Sequence, residues 1–149
     1  MDNIFVSVIM EIEQQFCLKW NNFQSNISDV FSTLLEKEVF SDVSIVCEGR
    51  ILKAHKLLLS ASSVYFENIF SSTQHNGHPI LILKDVKYEV MKALLIFIYK
   101  GEVNVSQGDI QHFMIAAESL QIKVSPIFIT ELLNSFKYFF YPDLSNFNF

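Results

Sequence analysis

The stretch from Val39 to Phe70 constrains the fold of this chain more than any other, because its residue pattern changes once and sharply. Apolar residues first alternate with other residues, which is the period of two at which strand side chains point to opposite faces of a sheet. Gly49 follows, and glycine accepts the positive φ that a tight hairpin turn requires. We therefore predict a hairpin here. Its first strand carries Val43, Ile45 and Cys47, and its second covers residues 50–54.

Beyond His55 the apolar residues follow one another at helical spacing, which predicts two short helices. The first contains Leu57, Leu58 and Leu59 and is apolar on nearly all sides, as expected of a buried helix. Ser62 or Ser63 supplies a hydroxyl that caps the second helix. The apolar residues of that helix are Tyr65, Phe66, Ile69 and Phe70.

The segment before this unit combines a short strand with an amphipathic helix. Phe16, Leu18 and Trp20 fall on one face of the predicted strand, and Asn21 with Asn22 ends it and caps the helix. Apolar residues then recur at i, i+3, i+4, i+7 and i+8, the spacing of one helix face. They are Ile27, Val30, Phe31, Leu34 and Leu35. From the pattern alone, this helix either lies on its own core or packs on a second subunit.

The second half of the chain predicts one strand over residues 80–83, a helix that ends at Gly101, and a final helix. Ser106 and Asp109 form a capping pair for the final helix. Val103 and Val105 indicate a brief strand between the two helices. The predicted class is α+β, a helical cluster flanked by a small β-sheet. Its expected core contains Val43, Ile45, Leu58, Phe66, Leu94 and Phe97.

Composition and charge weigh against several classes of function. With 11 Lys and Arg against 16 Asp and Glu, the formal net charge is −5. No basic run is present to neutralise a row of phosphates, so we do not expect direct nucleic-acid binding. The sequence has no Gly-rich phosphate loop, GxSxG or HExxH motif, so we expect neither an enzyme nor a cofactor. The apolar run over residues 4–10 is too short to span a bilayer and lacks the features of a signal peptide.

The cysteines and histidines do not indicate a metal site. Cys17 and Cys47 lie in predicted strands without CxxC spacing, so we interpret both as buried thiols in a reducing compartment. His75 and His78 have a spacing seen in metal ligands, but no cysteine or third histidine lies nearby. A solvated loop is the better interpretation. The hydrophobic share of 50%, with 15 Phe, favours an apolar surface that is covered by association.

Several spaced motifs occur together along this chain. Four of them are Phe40-Ser41-Asp42-Val43, Lys53-Ala54-His55-Lys56, Leu59-Ser60 and Ser63-x-Tyr65-Phe66. This combination resembles the BTB/POZ domain, a protein-protein interaction module. Three more motifs resemble the tramtrack-type subgroup of that family, and the likeness covers about residues 14–123. The three motifs are Phe16-Cys17-Leu18-Lys19-Trp20-Asn21-Asn22, Ile82-Leu83-Lys84-Asp85-Val86 and Ala116-Ala117-Glu118-Ser119-Leu120.

The resemblance implies a dimerisation domain of a transcription or chromatin regulator, located in the nucleus. Its expected partners are itself, other BTB proteins and co-regulators, and its N-terminal strand is expected to be exchanged in the dimer. Asp42 and Lys56 match the charged pair that BTB domains place at the groove along the dimer. The expected dimer interface contains Phe16, Leu18, Trp20, Asn21, Asn22, Ile27, Val30, Phe31 and Leu34.

Two other members of the fold class stay open as alternatives. A cullin-3 ubiquitin-ligase adaptor uses a different face of the same fold and usually carries an apolar-x-Glu motif after the second short helix. Here Ser71 and Ser72 follow Phe70 instead. A potassium-channel-like tetramerisation domain is disfavoured because that group lacks the tramtrack-type motifs.

The chain is expected to divide into three parts. Residues 1–13 form an N-terminal extension, residues 14–123 form the BTB/POZ domain, and residues 124–149 form a divergent C-terminal tail. The tail resembles no known extension of the domain, and no DNA-binding module is recognisable. We therefore interpret the sequence as an isoform or fragment.

Overall fold

The computed structural model describes residues 16–72 and 77–123. Within these ranges five helices and three strands follow one another along the chain, which confirms the predicted α+β class. None of these helices has the length and hydropathy needed to cross a membrane. The elements are α1 (Phe23–Glu36), β1 (Val43–Cys47), β2 (Arg50–Ala54), α2 (Lys56–Ser62), α3 (Val64–Ser72), β3 (Ile80–Ile82), α4 (Tyr88–Lys100) and α5 (Ile110–Ser119).

The sheet has the order β2-β1-β3, so β1 is its central strand. It pairs antiparallel with β2, as the hairpin pattern predicts, and parallel with β3. Glu48 (φ 50°) and Gly49 (φ 74°) both have the positive φ that type I′ hairpin turns require at their two central residues. The side chains of Val43, Ile45 and Cys47 are completely buried. The hairpin is therefore confirmed at both of its predicted strands.

Helix α4 lies at the centre of the described fold. It packs against α1, α2 and α5 and also touches β1 and β2. It ends at Gly101, as predicted. This C-cap residue has φ 80° and donates its N–H to the Phe97 carbonyl at 2.8 Å. Five of its side chains are buried, which exceeds the single stripe of an ordinary surface helix. They are Val90, Met91, Leu94, Leu95 and Tyr99.

The predicted core is confirmed in most of its members. Val43, Ile45, Phe66 and Leu94 are completely inaccessible to solvent. Leu58 and Phe97 are only partly buried, and they pack against this core from its margin. Phe66 also stacks on Phe70, with 6.1 Å between ring centroids.

Two predictions about local burial and structure are wrong. Leu59 is buried, but Leu57 is 72% exposed, because α2 packs against α3 and α4 and leaves its remaining side in solvent. The brief strand expected at Val103 and Val105 does not form in the single chain. These two residues instead pack, half-buried, against the core.

The helix caps show where local sequence decides the structure. Ser63 caps α3, because its Oγ accepts the Phe66 N–H at 3.1 Å and donates to the Leu120 carbonyl at 2.6 Å. Ser106 and Asp109 do meet, since Ser106 Oγ donates to Asp109 Oδ2 at 2.7 Å and accepts the Asp109 N–H at 3.2 Å. They close the turn before α5, whose N-cap residue, Asp109, makes no side-chain cap, so the predicted cap of this helix is wrong. Asn22 has φ 60° and likewise makes no side-chain cap, since capping requires an extended backbone at this position.

Helix α1 ends in a Schellman motif. The Val39 N–H bonds the Leu34 carbonyl and the Glu38 N–H bonds the Leu35 carbonyl, both at 3.1 Å. Glu38 (φ 52°) occupies the left-handed position at which glycine is usual. This end is therefore closed by backbone hydrogen bonds although its residue type is unfavourable.

Replacing Phe66 with Ala tests the core. The expected loss is about 3 to 5 kcal/mol of unfolding free energy, because a completely buried aromatic side chain leaves a cavity. Urea denaturation at one fixed protein concentration measures this change. Leu57→Ala is the matched control and should cost far less, since Leu57 is mostly in water. Equal losses from the two variants would contradict the described packing.

Candidate interaction surface

The N-terminal segment over residues 16–20 exposes three large apolar side chains. Phe16 is 76% exposed, Leu18 92% and Trp20 62%. The segment is not in a strand in the single chain, although the alternating pattern predicts one. Cys17 is exposed as well, so the prediction that both cysteines are buried is wrong for this one. A segment with this pattern and no ladder partner in its own described chain is suited to pairing with another chain.

Some apolar residues of α1 pack against the core of their own chain, and others are exposed to solvent. Phe31 and Leu35 pack against the core of their own chain. Ile27 and Leu34 are half-buried, and Val30 is 54% exposed. The two interpretations of the amphipathic pattern are therefore not exclusive. One side of the helix covers the core, and the Val30 side is available to a partner.

Polar contacts fix α1 on α4. Ser28 Oγ donates to the Tyr99 carbonyl at 3.4 Å, near the C-terminal end of α4. At the other end of α1, Glu36 and Lys100 form an ion pair with 3.1 Å between Oε1 and Nζ. Both charged side chains are in contact with solvent, and such pairs contribute under about 1 kcal/mol. The position of α1 therefore rests mainly on the apolar contacts of Phe31 and Leu35.

Asp42 and Lys56 meet through a backbone group. Asp42 Oδ1 accepts the backbone N–H of Lys56, the first residue of α2, at 2.7 Å. The Lys56 ammonium group donates instead to the carbonyl of Gly77 at 2.9 Å. Asp42 is exposed and Lys56 half-buried in the single chain. The carboxylate thus satisfies one of the orphan N–H groups that begin a helix.

Next to this contact, His55 and Tyr99 form a buried polar network. The Tyr99 hydroxyl accepts the backbone N–H of His55 at 2.9 Å and contacts His55 Nδ1 at 2.6 Å. His55 Nε2 lies 2.8 Å from the Val39 carbonyl, which accepts only, so Nε2 carries a proton. In the neutral imidazole, Nδ1 then accepts from the Tyr99 hydroxyl. The network satisfies each of these groups and ties α4 to the turn before β1.

Burial raises the pKa of Tyr99 to about 12, from an ordinary value of about 10. The hydrogen bond from the His55 backbone lowers the pKa and the charge of Asp42 raises it, both less than burial does. Local patterns do not reveal this network, because His55 and Tyr99 are 44 residues apart. The one available signal is that His55 lies in the quoted Lys53-Ala54-His55-Lys56 motif.

The remaining cysteine and histidines have structural surroundings. Cys47 is buried in β1, and burial, with a smaller effect of the Glu48 charge, raises the pKa of its thiol. His78 Nε2 lies 2.8 Å from Ser44 Oγ. His75 lies outside the described residues. Within the described ranges, no three metal-ligating side chains come together.

A small α+β domain with an exposed apolar segment beside a partly exposed helix has the features of a protein-association module. The family model for the BTB/POZ domain matches residues 31–136. The chain belongs to this family.

Its relatives are tramtrack-type BTB proteins of Drosophila melanogaster. The chain is 52% identical to the sex determination protein fruitless over 112 residues, which is 75% of this chain and 12% of that protein. It is 54% identical to the alpha isoform of protein tramtrack over 110 residues, or 74% of this chain and 13% of tramtrack. Longitudinals lacking protein, isoforms A/B/D/L, is 52% identical over 114 residues, covering 76% and 14% of the two chains. The chain thus spans about one eighth of the length of these relatives.

A solved structure shows the same fold. The BTB domain of zebrafish PATZ1 superposes with a TM-score of 0.71 at 21% sequence identity. The match covers 81% of this chain and 99% of that domain. The predicted BTB/POZ resemblance and fold are therefore confirmed.

The contact between Asp42 and Lys56 generates a prediction about stability. Asp42→Ala should cost about 0.5 to 2 kcal/mol of unfolding free energy, because the first N–H of α2 loses its acceptor. Lys56→Met leaves that acceptor in place and should cost much less. Urea denaturation of the two variants and the double variant measures the coupling. A double variant more stable than Asp42→Ala alone would show instead that the two charges depend on each other.

The Tyr99 network generates a prediction about alkaline pH. Since the folded pKa is near 12 and the unfolded pKa near 10, the contribution of Tyr99 to stability is complete below pH 10. It decreases as pH rises from 10 to 12, by up to about 3 kcal/mol, because the unfolded chain ionises first.

Urea denaturation at several pH values compares the natural protein with Tyr99→Phe. The variant should be about 1 to 3 kcal/mol less stable at neutral pH, since the His55 groups lose their partner. Its stability should then depend less on pH between 10 and 12. The Cys47 thiol is common to both proteins and does not affect the difference between them. Parallel curves over this range would contradict the network.

Proposed function

We propose that this domain associates with a second copy of itself and with other BTB proteins, as the interaction domain of a transcription or chromatin regulator in the nucleus. The observation that carries the proposal is the exposure of Phe16, Leu18 and Trp20 together in one short segment. Soluble monomers rarely expose contiguous apolar surface of this kind. The nuclear role rests on the family and its tramtrack-type relatives.

Strand exchange accounts for the N-terminal segment. In the single chain, residues 16–20 are exposed and are not part of the sheet. Within the described residues, β2 and β3 are the edge strands of that sheet. Pairing of residues 16–20 with a sheet edge of the partner gives the backbone its hydrogen bonds and covers the three apolar side chains. The short connection Asn21-Asn22 makes pairing within the same chain harder.

Helix α1 supplies the second part of the proposed interface. Val30 is exposed beside the half-buried Ile27 and Leu34, and these residues are three or four positions apart, on one helix face. In a twofold dimer the same face of each copy meets its symmetry mate. We assign to this interface Phe16, Leu18, Trp20, Asn21, Asn22, Ile27, Val30, Phe31 and Leu34.

Asp42 and Lys56 are proposed to border the groove along the dimer. Their contact at the start of α2 holds both residues in fixed positions, with the Asp42 carboxylate exposed. A partner peptide bound in the groove then meets one charge of each sign. The 149 residues provide no basic run for DNA, so association is the role assigned to them and DNA contact belongs to other domains or partners.

Light scattering and thermal unfolding over a range of protein concentrations test the proposal. The natural protein should be a dimer, and its unfolding temperature should rise with concentration, as expected when folding and association are coupled. Val30→Asp should abolish the dimer because it places an unpaired charge in the interface. A chain lacking residues 1–22 should likewise give poorly folded protein. Phe31→Asp is a companion variant, although Phe31 also packs on its own core.

Ile115→Asp is the matched control. Ile115 is 58% exposed on α5, outside the proposed interface, so its variant should remain dimeric. A soluble, well-folded dimer from both Val30→Asp and the truncated chain would overturn the exchanged dimer. A pull-down with purified cullin-3 tests the adaptor alternative, which uses a different face of the fold. Binding of cullin-3 by the natural protein is expected only if that alternative is correct.

A further inference from the structure

The turn over residues 37–41 presents an aromatic side chain in an unusual conformation. Phe40 has φ 58° and is 81% exposed, and Val39 beside it is 40% exposed. A bulky residue in the left-handed region is uncommon, because its Cβ crowds the backbone. Glu38 of the same turn is also left-handed. Such conformations persist only where the surroundings impose them.

Three hydrogen bonds hold the backbone around Phe40 in this left-handed conformation. The Val39 carbonyl accepts from His55 Nε2 at 2.8 Å, and Ser41 Oγ donates to the Glu38 carbonyl at 3.2 Å. The next residue, Asp42, donates its N–H to the Ala54 carbonyl at 3.1 Å. The backbone on both sides of Phe40 is therefore already ordered in the single chain. Association does not have to order it, which removes one cost of binding.

The turn continues the surface of α1. The Val39 N–H bonds the Leu34 carbonyl, so the turn begins directly at the end of the helix face assigned to the dimer. Val30 on that face and Val39 with Phe40 on the turn are all exposed apolar side chains. Val39 therefore lies next to Leu34, a residue assigned to the dimer interface.

The charges beside the turn are compatible with a second copy of the same chain. Glu38 pairs with Lys53, with 3.1 Å between Oε2 and Nζ. Glu36 pairs with Lys100 at the same distance. A chain with a net charge of −5 repels its own copy, and these pairs compensate two of the carboxylates nearest the turn.

From the strained, pre-ordered turn we infer that Phe40, together with Val39, is an anchor of the self-association interface and packs against a second copy of the chain. The inference rests on the proposed dimer and extends its interface beyond α1. In a twofold arrangement each copy contributes one Phe40, so the dimer buries two aromatic rings. Buried aromatic residues are the common energetic centres of interfaces.

Subunit exchange tests this inference. Two populations of the purified natural protein, labelled with a donor and an acceptor fluorophore, are mixed and the growth of energy transfer is followed. Phe40→Asn should exchange at least about tenfold faster. Burial of the lost phenylalanine ring is expected to stabilise the dimer by a factor of at least about ten. Asparagine tolerates the left-handed region, so the turn itself is preserved. Phe40→Leu retains an apolar anchor and should exchange at a rate between those of the other two proteins.

Ile115→Asn is the control for loss of an exposed apolar residue, and it should exchange at the natural rate. Unchanged exchange in Phe40→Asn overturns the inference while leaving the proposed dimer intact. A natural protein that is monomeric at every concentration overturns the dimer itself. Loss of far-ultraviolet circular dichroism in Phe40→Asn at all concentrations also overturns the inference, since it shows that Phe40 stabilises its own subunit.

Discussion

The burial of α4 is the interaction on which the rest of this domain depends. The helix contacts three other helices and both strands of the hairpin, and five of its side chains are inside the core. The elements that cover α4 on its several sides include the short helix α2 and the two short strands of the hairpin. The small sheet therefore closes one side of a helical core rather than forming a core of its own.

Tyr99 connects that core to the surface. It is the last buried residue of α4, and its hydroxyl is satisfied entirely by His55, which in turn holds the Val39 carbonyl. Two left-handed residues, Glu38 and Phe40, flank the position held in this way. A buried polar network that is fully paired specifies a unique geometry, because any alternative leaves a polar group without a partner. The cost of strain in the turn is thus offset by hydrogen bonds made elsewhere.

Two groups of exposed apolar residues lie away from the packing of the core. Residues 16–20 lie outside the sheet, and the Val30 side of α1 faces away from the residues that fix the helix to α4. The described core is therefore built from residues of one chain, and part of that chain's apolar surface lies in water. Eight of the 15 phenylalanines of the sequence lie in the described ranges, and they include both core residues such as Phe66 and exposed residues such as Phe16.

By itself the sequence determined the hairpin, the end of α4 at Gly101 and the α+β class, and it limited the cap of α3 to Ser62 or Ser63, because these features depend on residue periodicity and on hydrogen bonds within a few positions. Only the tertiary structure decided which predicted faces are covered. Cys17 and Leu57 satisfy apolar patterns yet lie in water. A pattern shows that one side of an element is apolar, but burial depends on whether another element reaches it, and that contact is made between residues far apart in the chain.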